Sequence, residues 1–317
     1  MNRNLPETTY PTLRTLLLVK LCEVIYLQAD VVVKKVSTNT AQDHFDFSRV
    51  KLLLESLSLK RLKSKMFRVV YQSSIALKLS SVLRRNALKV AYQILDEFHQ
   101  KSVNFCQEGM TTAEGVLSDF TGKVFSDGLL QFELGDRGLS LWLQCLMKPP
   151  SRSQPDKPMP FSIGLLEDKR GLFICQHSHA RCCSLLRYAH GSMITLNRLD
   201  NSLNDPWMIF APNPIPWLAA HGGLFLSHPT EQRLISQIVT IADDLSDLII
   251  NPRSCLASAI ALSQSFQDFY QACQIFGATS DPHLQLSQGR LGLLMITQRF
   301  LSLLIEVGLD EQAPSEL

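Results

Sequence analysis

The last ninety residues of this chain, 228–317, contain no lysine, and they carry 4 basic side chains against 10 acidic ones. A segment with a local charge of −6 does not draw in a polyanion by its overall field. Charged residues make up only 19% of the whole chain while hydrophobic ones reach 45%, a balance that excludes disorder and describes packed cores. None of the eight cysteines stands in a CxxC arrangement. That speaks against ribbon-type zinc sites and disulfide frameworks and for reduced, buried thiols in a cytoplasmic protein. No GxSxG elbow occurs, so the common hydrolase nucleophile is missing. The apolar stretch from Leu16 to Val33 is interrupted by Lys20, Glu23 and Asp30, and no cleavage pattern follows a short apolar core. Neither a membrane span nor a signal peptide is expected from it.

Positive charge is concentrated in the front half. Residues 1–101 hold 17 Lys and Arg against 8 Asp and Glu, a local +9. Lys60, Arg61, Lys63, Lys65 and Arg68 fall close together, with Arg84 and Arg85 further on. These seven are the candidate phosphate contacts, although a solvated helix face has the same composition.

Three segments at the other end have helical periodicity. Leu234, Ile235, Ile238, Val239, Ala242, Leu245 and Ile249 recur at three- and four-residue spacing, with Pro229 at the start and Asn251-Pro252 as the stop. Leu256, Ala259, Ile260, Ser263, Phe266, Phe269, Tyr270 and Cys273 form a second stripe. Leu291, Leu294, Met295, Phe300, Leu301, Leu304 and Ile305 form a third, leading to Gly308. Together they predict a helical bundle. In the front half, Leu130, Phe132 and Leu134 alternate with Gln131 and Glu133, the pattern of a half-buried strand.

The residues within these elements carry a resemblance. HPxE at His228, FxxFYxAC at Phe266, RLxL at Arg290 and GLxxxAPxxL at Gly308 are similar to the DALR anticodon-binding domain at the C-terminus of arginyl-tRNA synthetases. The stretch CQHSHARCCSLLRYA, 175–189, resembles the helix QYAHARxxSxxRxA that leads into that domain, with His177 in place of its tyrosine. Upstream, RVVYQSSIALKLS, ALKVAYQILDEF and SDGLLQFELGDRGLSLWLQ follow the order of the N-terminal domain of the same family, where the first piece is a helix.

The resemblance implies an α+β chain: a small mixed α/β N-terminal domain followed by an all-α bundle. The divisions are 1–50, unassigned; 51–147, synthetase N-terminal-like; 148–171, a linker with five prolines between Lys148 and Pro160; and 172–317, the DALR-like bundle. The linker stands where a synthetase holds its catalytic domain. The family's HxGH and KMSKS signatures are absent. His190-Gly191-Ser192 and His221-Gly222-Gly223 lack a second histidine, and Lys63-Ser64-Lys65-Met66 lies far upstream. The expectation is a cytoplasmic, non-catalytic tRNA-binding protein without cofactor, arginine tRNA being the implied ligand and a synthetase or tRNA-modifying enzyme the implied recipient. Carried over residue by residue, the anticodon contacts are His177, His179, Arg181, Tyr270 and Arg290.

Two rivals remain. Cys175, His177, His179, Cys182 and Cys183 are metal-ligand types, but one helix does not easily converge four ligands, and no metal is expected. The acidic C-terminal half and the lost tyrosine at His177 fit a bundle reused as a protein-interaction module without RNA. For the Pro- and Trp-bearing insertion 193–221 the sequence suggests no function.

Overall fold

The computed structural model describes residues 12–36, 57–62, 67–103, 112–148, 169–198, 207–277 and 280–317. The chain divides into two compact units, residues 11–141 and a unit holding residues 142–317. Lys63, Lys65 and nearly all of the proline-rich linker lie outside the described residues.

The first unit is built on an antiparallel sheet in the order β1-β2-β4-β3, with β1 Lys60–Leu62, β2 Val70–Ser73, β3 Phe120–Val124 and β4 Leu130–Leu134. The expected alternation in β4 holds: Leu130, Phe132 and Leu134 are buried while Gln131 and Glu133 are half-buried. Helices α1 Leu13–Val36, α2 Ile75–Leu83, α3 Ala87–Val103 and α4 Thr112–Ser118 complete the unit, with α1 packing on α3 and α4. The apolar stretch from Leu16 to Val33 thus lies within one continuous helix.

One local expectation is corrected. Tyr71-Gln72, which the resemblance places on a helix, lies on strand β2, and the helix starts only at Ile75. The residues explain this. Val69-Val70-Tyr71 favours extended backbone, and Tyr71 is fully buried opposite Phe132 in the register.

Helix α5, Asp136–Leu146, is followed by the second unit's α6 Lys169–Ala189, the hairpin β5 Thr195–Arg198 and β6 Trp207–Ala211, and helices α7 Pro229–Ile250, α8 Pro252–Ala272 and α9 Asp281–Leu303. A π-turn, Leu304–Gly308, ends α9. Helix α7 begins with a capping box. The His228 ring accepts the Thr230 N–H while the Glu231 carboxylate accepts the His228 N–H at 2.9 Å. Asn251 stops α7 and caps α8, its Oδ1 accepting the Ser254 N–H at 3.2 Å.

Helix α9 is the core of the bundle. Leu291, Leu293, Leu294, Met295, Ile296, Phe300 and Leu301 are all buried, so it is apolar nearly all round, as a helix wrapped by others must be. Two glycines permit close approach to it. A Cβ at Gly292 would stand 2.6 Å from the Trp217 ring, and one at Gly308 would overlap Cys255 Sγ. The insertion therefore has a structural role. Ile215 and Trp217 are buried against α9, and Gln144 Oε1 accepts from Ile215 N and Trp217 Nε1.

Candidate nucleic-acid interface

Helix α6 contains Lys169, Arg170, Arg181 and Arg187 but no Asp or Glu, in a C-terminal half that is otherwise acidic. Its inward face is Cys175, Ser178, Cys182, Leu185, Leu186 and Ala189 at three- and four-residue spacing. Its outward face carries Arg170, Phe173, His177, Arg181, Ser184 and Tyr188. Phe173 is 56% and Tyr188 73% exposed. Cations and aromatics in one line are the materials for holding single-stranded nucleic acid, with ring faces for bases and positive charge for phosphates.

The candidate residues do different things. Arg181 and Tyr270, 89 residues apart in sequence, meet on this surface. Arg181 Nη2 donates to the Tyr270 hydroxyl at 2.6 Å, and its Cζ lies 5.1 Å from the ring centroid. Tyr270 itself lies nearly parallel to the buried Phe266, with ring centroids 6.1 Å apart. His177 lies one turn away, 6.2 Å from Phe173 between ring centroids.

Residues 175–308 match the model of the DALR anticodon binding domain. That segment is a DALR-type domain, similar to the one arginyl-tRNA synthetases carry. It is 28% identical over 136 residues to the arginine–tRNA ligase of Gloeobacter violaceus (strain ATCC 29082 / PCC 7421). That alignment covers 41% of this chain and only 20% of that protein's length. No solved structure matches.

Within the DALR domain, His179 and Arg290 face inward rather than onto the outer stripe. The His179 ring is buried, its Nδ1–H donating to Pro314 O at 2.8 Å while Nε2 accepts from Gln298 at 2.7 Å. With Gln176 donating to Gln312 O and Arg187 to Ser315 O, it straps residues 312–315 along α6. Arg290 Nε donates to Glu231 Oε1 at 2.6 Å, and its Nη1 donates to the Gln274 carbonyl. The first pair closes the α7 cap onto α9.

The cysteines do not gather. Cys175 and Cys182 point into the bundle, Cys183 Sγ lies 3.9 Å from His179 Nε2, and His177 faces the other way. Among the described residues no three His, Cys, Asp or Glu side chains are placed to hold a metal ion. Burial pushes the Cys183 thiol up to about 11 and Cys255 to about 12, so neither is a thiolate at neutral pH.

In the first unit Lys60 and Arg61 lie on the edge strand β1, where charge also blocks strand pairing with other chains. Arg68 is paired with Glu133 at 3.1 Å across the surface. Arg84 and Arg85 stand exposed at the α2–α3 turn. There Arg85, Asn86, Lys89 and Gln93 line a shallow depression.

The strap gives a pH-dependent expectation. Burial holds the His179 pKa below the usual histidine value of 6.5, and outweighs the opposing effect of the bond to Pro314. The unfolded chain therefore takes up this proton first as pH falls. Its contribution to stability is complete above about 6.5 and is lost as pH drops through the lower, folded value. Melting temperature measured from about pH 7 to pH 5 should fall more steeply in the wild type than in His179→Gln. Parallel curves would remove His179 from the account.

Proposed function

We propose that the chain is a non-catalytic tRNA-binding protein of the cytoplasm, in which the DALR domain holds the anticodon loop and the front unit contacts phosphates. The observation that carries this is the Arg181–Tyr270 pair, set on an acid-free helix lined with Phe173, His177 and Tyr188. The family model and the arginine–tRNA ligase relative support the same reading. Arginine tRNA is the preferred ligand, and a synthetase or tRNA-modifying enzyme is the partner to which it is presented.

Purified protein should give no arginine-dependent pyrophosphate exchange, because no ATP-binding signature is present in the sequence. It should bind an arginine tRNA transcript more tightly than the same transcript with another anticodon. Affinity should fall steeply with salt, since phosphate contacts release counterions. Reversing Lys60, Arg61, Lys63 and Lys65 to glutamate should weaken both transcripts alike and flatten the salt slope. Equal affinity for both anticodons sinks specific recognition; absence of binding at low salt sinks the whole reading.

A second reading is favoured by a specific observation: Phe173 and Tyr188 are both exposed aromatics on the outward face of one helix, as protein-docking residues are. On that reading the bundle meets a protein and RNA binding is lost. The same transcript measurements separate the two.

A further inference from the structure

The C-terminal end of α6 carries a second aromatic station that neither the sequence motifs nor the comparisons assign. Tyr188 stands 73% exposed, and one edge of its arrangement is fixed by Phe276, whose ring meets it edge-on with centroids 4.9 Å apart. Phe276 is not a loose loop residue. Gln274 Nε2 donates to the Phe276 carbonyl at 2.9 Å, and the Gln274 carbonyl accepts from Arg290, which is held by Glu231. A chain of hydrogen bonds thus runs from the buried ion pair to the backbone carbonyl of Phe276, whose ring backs Tyr188.

Tyr188 lies seven residues beyond Arg181 on the same exposed line, about 10 Å along the helix. That separation is about three nucleotides at the 3.4 Å spacing of a stacked strand, and fewer where the strand is unstacked. A large, open aromatic with a fixed neighbour suits a flat, electron-rich ring attached to a polyanion, on a helix with no acid of its own, although its neighbour Arg187 is paired with Glu316 at 3.4 Å. We propose that Tyr188, braced by Phe276, is a stacking platform for an unpaired RNA base flanking those held at Arg181 and Tyr270. This rests on the tRNA-binding reading above and extends the contact surface past the Arg181–Tyr270 pair. The positive charge that Lys169, Arg170 and Arg181 give α6, with Arg187 engaged by Glu316, favours RNA over an apolar protein segment as the occupant.

The test uses the full chain and an arginine tRNA transcript carrying the fluorescent base 2-aminopurine at successive anticodon-loop positions. In the wild type, one loop position outside the anticodon should be quenched on binding. Tyr188→Ala should abolish that quenching and weaken binding about tenfold, while Tyr188→Phe should retain both, since stacking needs the ring and not the hydroxyl. Phe276→Ala should lose part of the quenching with the bundle still folded by circular dichroism. If the wild type binds and Tyr188→Ala binds equally well with the same quenching, the platform is overturned and the ring is left to a protein partner. If the wild type binds no tRNA, the proposed function falls first and takes this inference with it.

Discussion

Glu231→Ala should destabilise the C-terminal bundle by about 3–5 kcal/mol, enough to leave much of it unfolded at physiological temperature. Glu231 is only 1% exposed, and both of its oxygens are used. One accepts the His228 N–H and completes the α7 cap; the other accepts Arg290 at 2.6 Å. Removing the carboxylate leaves the Arg290 guanidinium, 13% exposed, without a counter-charge. The penalty is the desolvated cation, which exceeds the value of the lost bond itself. Arg290→Ala should cost a similar amount for the mirror reason, leaving a buried carboxylate. Arg290→Lys should not rescue it, because one ammonium cannot reproduce donors fixed in a fork toward Glu231 and the Gln274 carbonyl. The double replacement Glu231→Leu with Arg290→Met should recover most of the stability, since neither charge is then stranded. Urea unfolding followed by circular dichroism checks each variant. A Glu231→Ala midpoint equal to the wild type would show that the pair contributes nothing. The consequence reaches tRNA binding: any loss caused by Arg290→Ala should track unfolding and not loss of an RNA contact.

Periodicity made the bundle legible. In α7 all the expected residues except Ile249 are buried, and Ile241 and Leu248 join them. In α9 every expected residue is buried, but the stripe widens into a whole helix surface, which a pattern search at fixed spacing underestimates. Strand β4 was legible for the same reason, its period of two being uninterrupted. Tyr71-Gln72 was not, since a short apolar run reads equally well as helix or strand and the sheet register decides.

The site divided along another line. Motif resemblance nominated residues by position in a helix, and it cannot tell the inward face from the outward one. His179 and Arg181 are two residues apart, yet one is locked inside by Pro314 and Gln298 while the other is exposed beside Tyr270. The pairing of Arg290 with Glu231 spans 59 residues and leaves no local signal. Phe173 and Tyr188 were missed because a large apolar residue on an amphipathic helix is read as core by default. Their spacing from Arg181, minus eight and plus seven, was the available clue.

Tyr270→Ala and Arg181→Ala should each weaken binding to arginine tRNA by roughly 1–3 kcal/mol, ten- to a hundredfold, with the bundle still folded. Folding should survive because Arg181 is exposed and Tyr270 only half-buried, with Phe266 beneath it supplying the core contact. The two losses should not add. Arg181 is positioned by the Tyr270 hydroxyl, so removing the tyrosine already frees the guanidinium, and the double variant should lose less than the sum. Tyr270→Phe separates the two contributions: it keeps a ring to stack and removes only the anchor of Arg181. It should therefore sit between the wild type and Tyr270→Ala. The preference for arginine tRNA over its anticodon-swapped form should shrink in all four variants, because contacts to unpaired bases carry the discrimination. Filter binding at fixed salt, alongside melting curves for each protein, provides the measurement. Folded Tyr270→Ala and Arg181→Ala proteins that bind both transcripts like the wild type would remove this pair from the recognition surface. The pair would then be an aromatic–cation contact joining α6 to α8, worth about 1 kcal/mol of bundle stability and nothing to RNA.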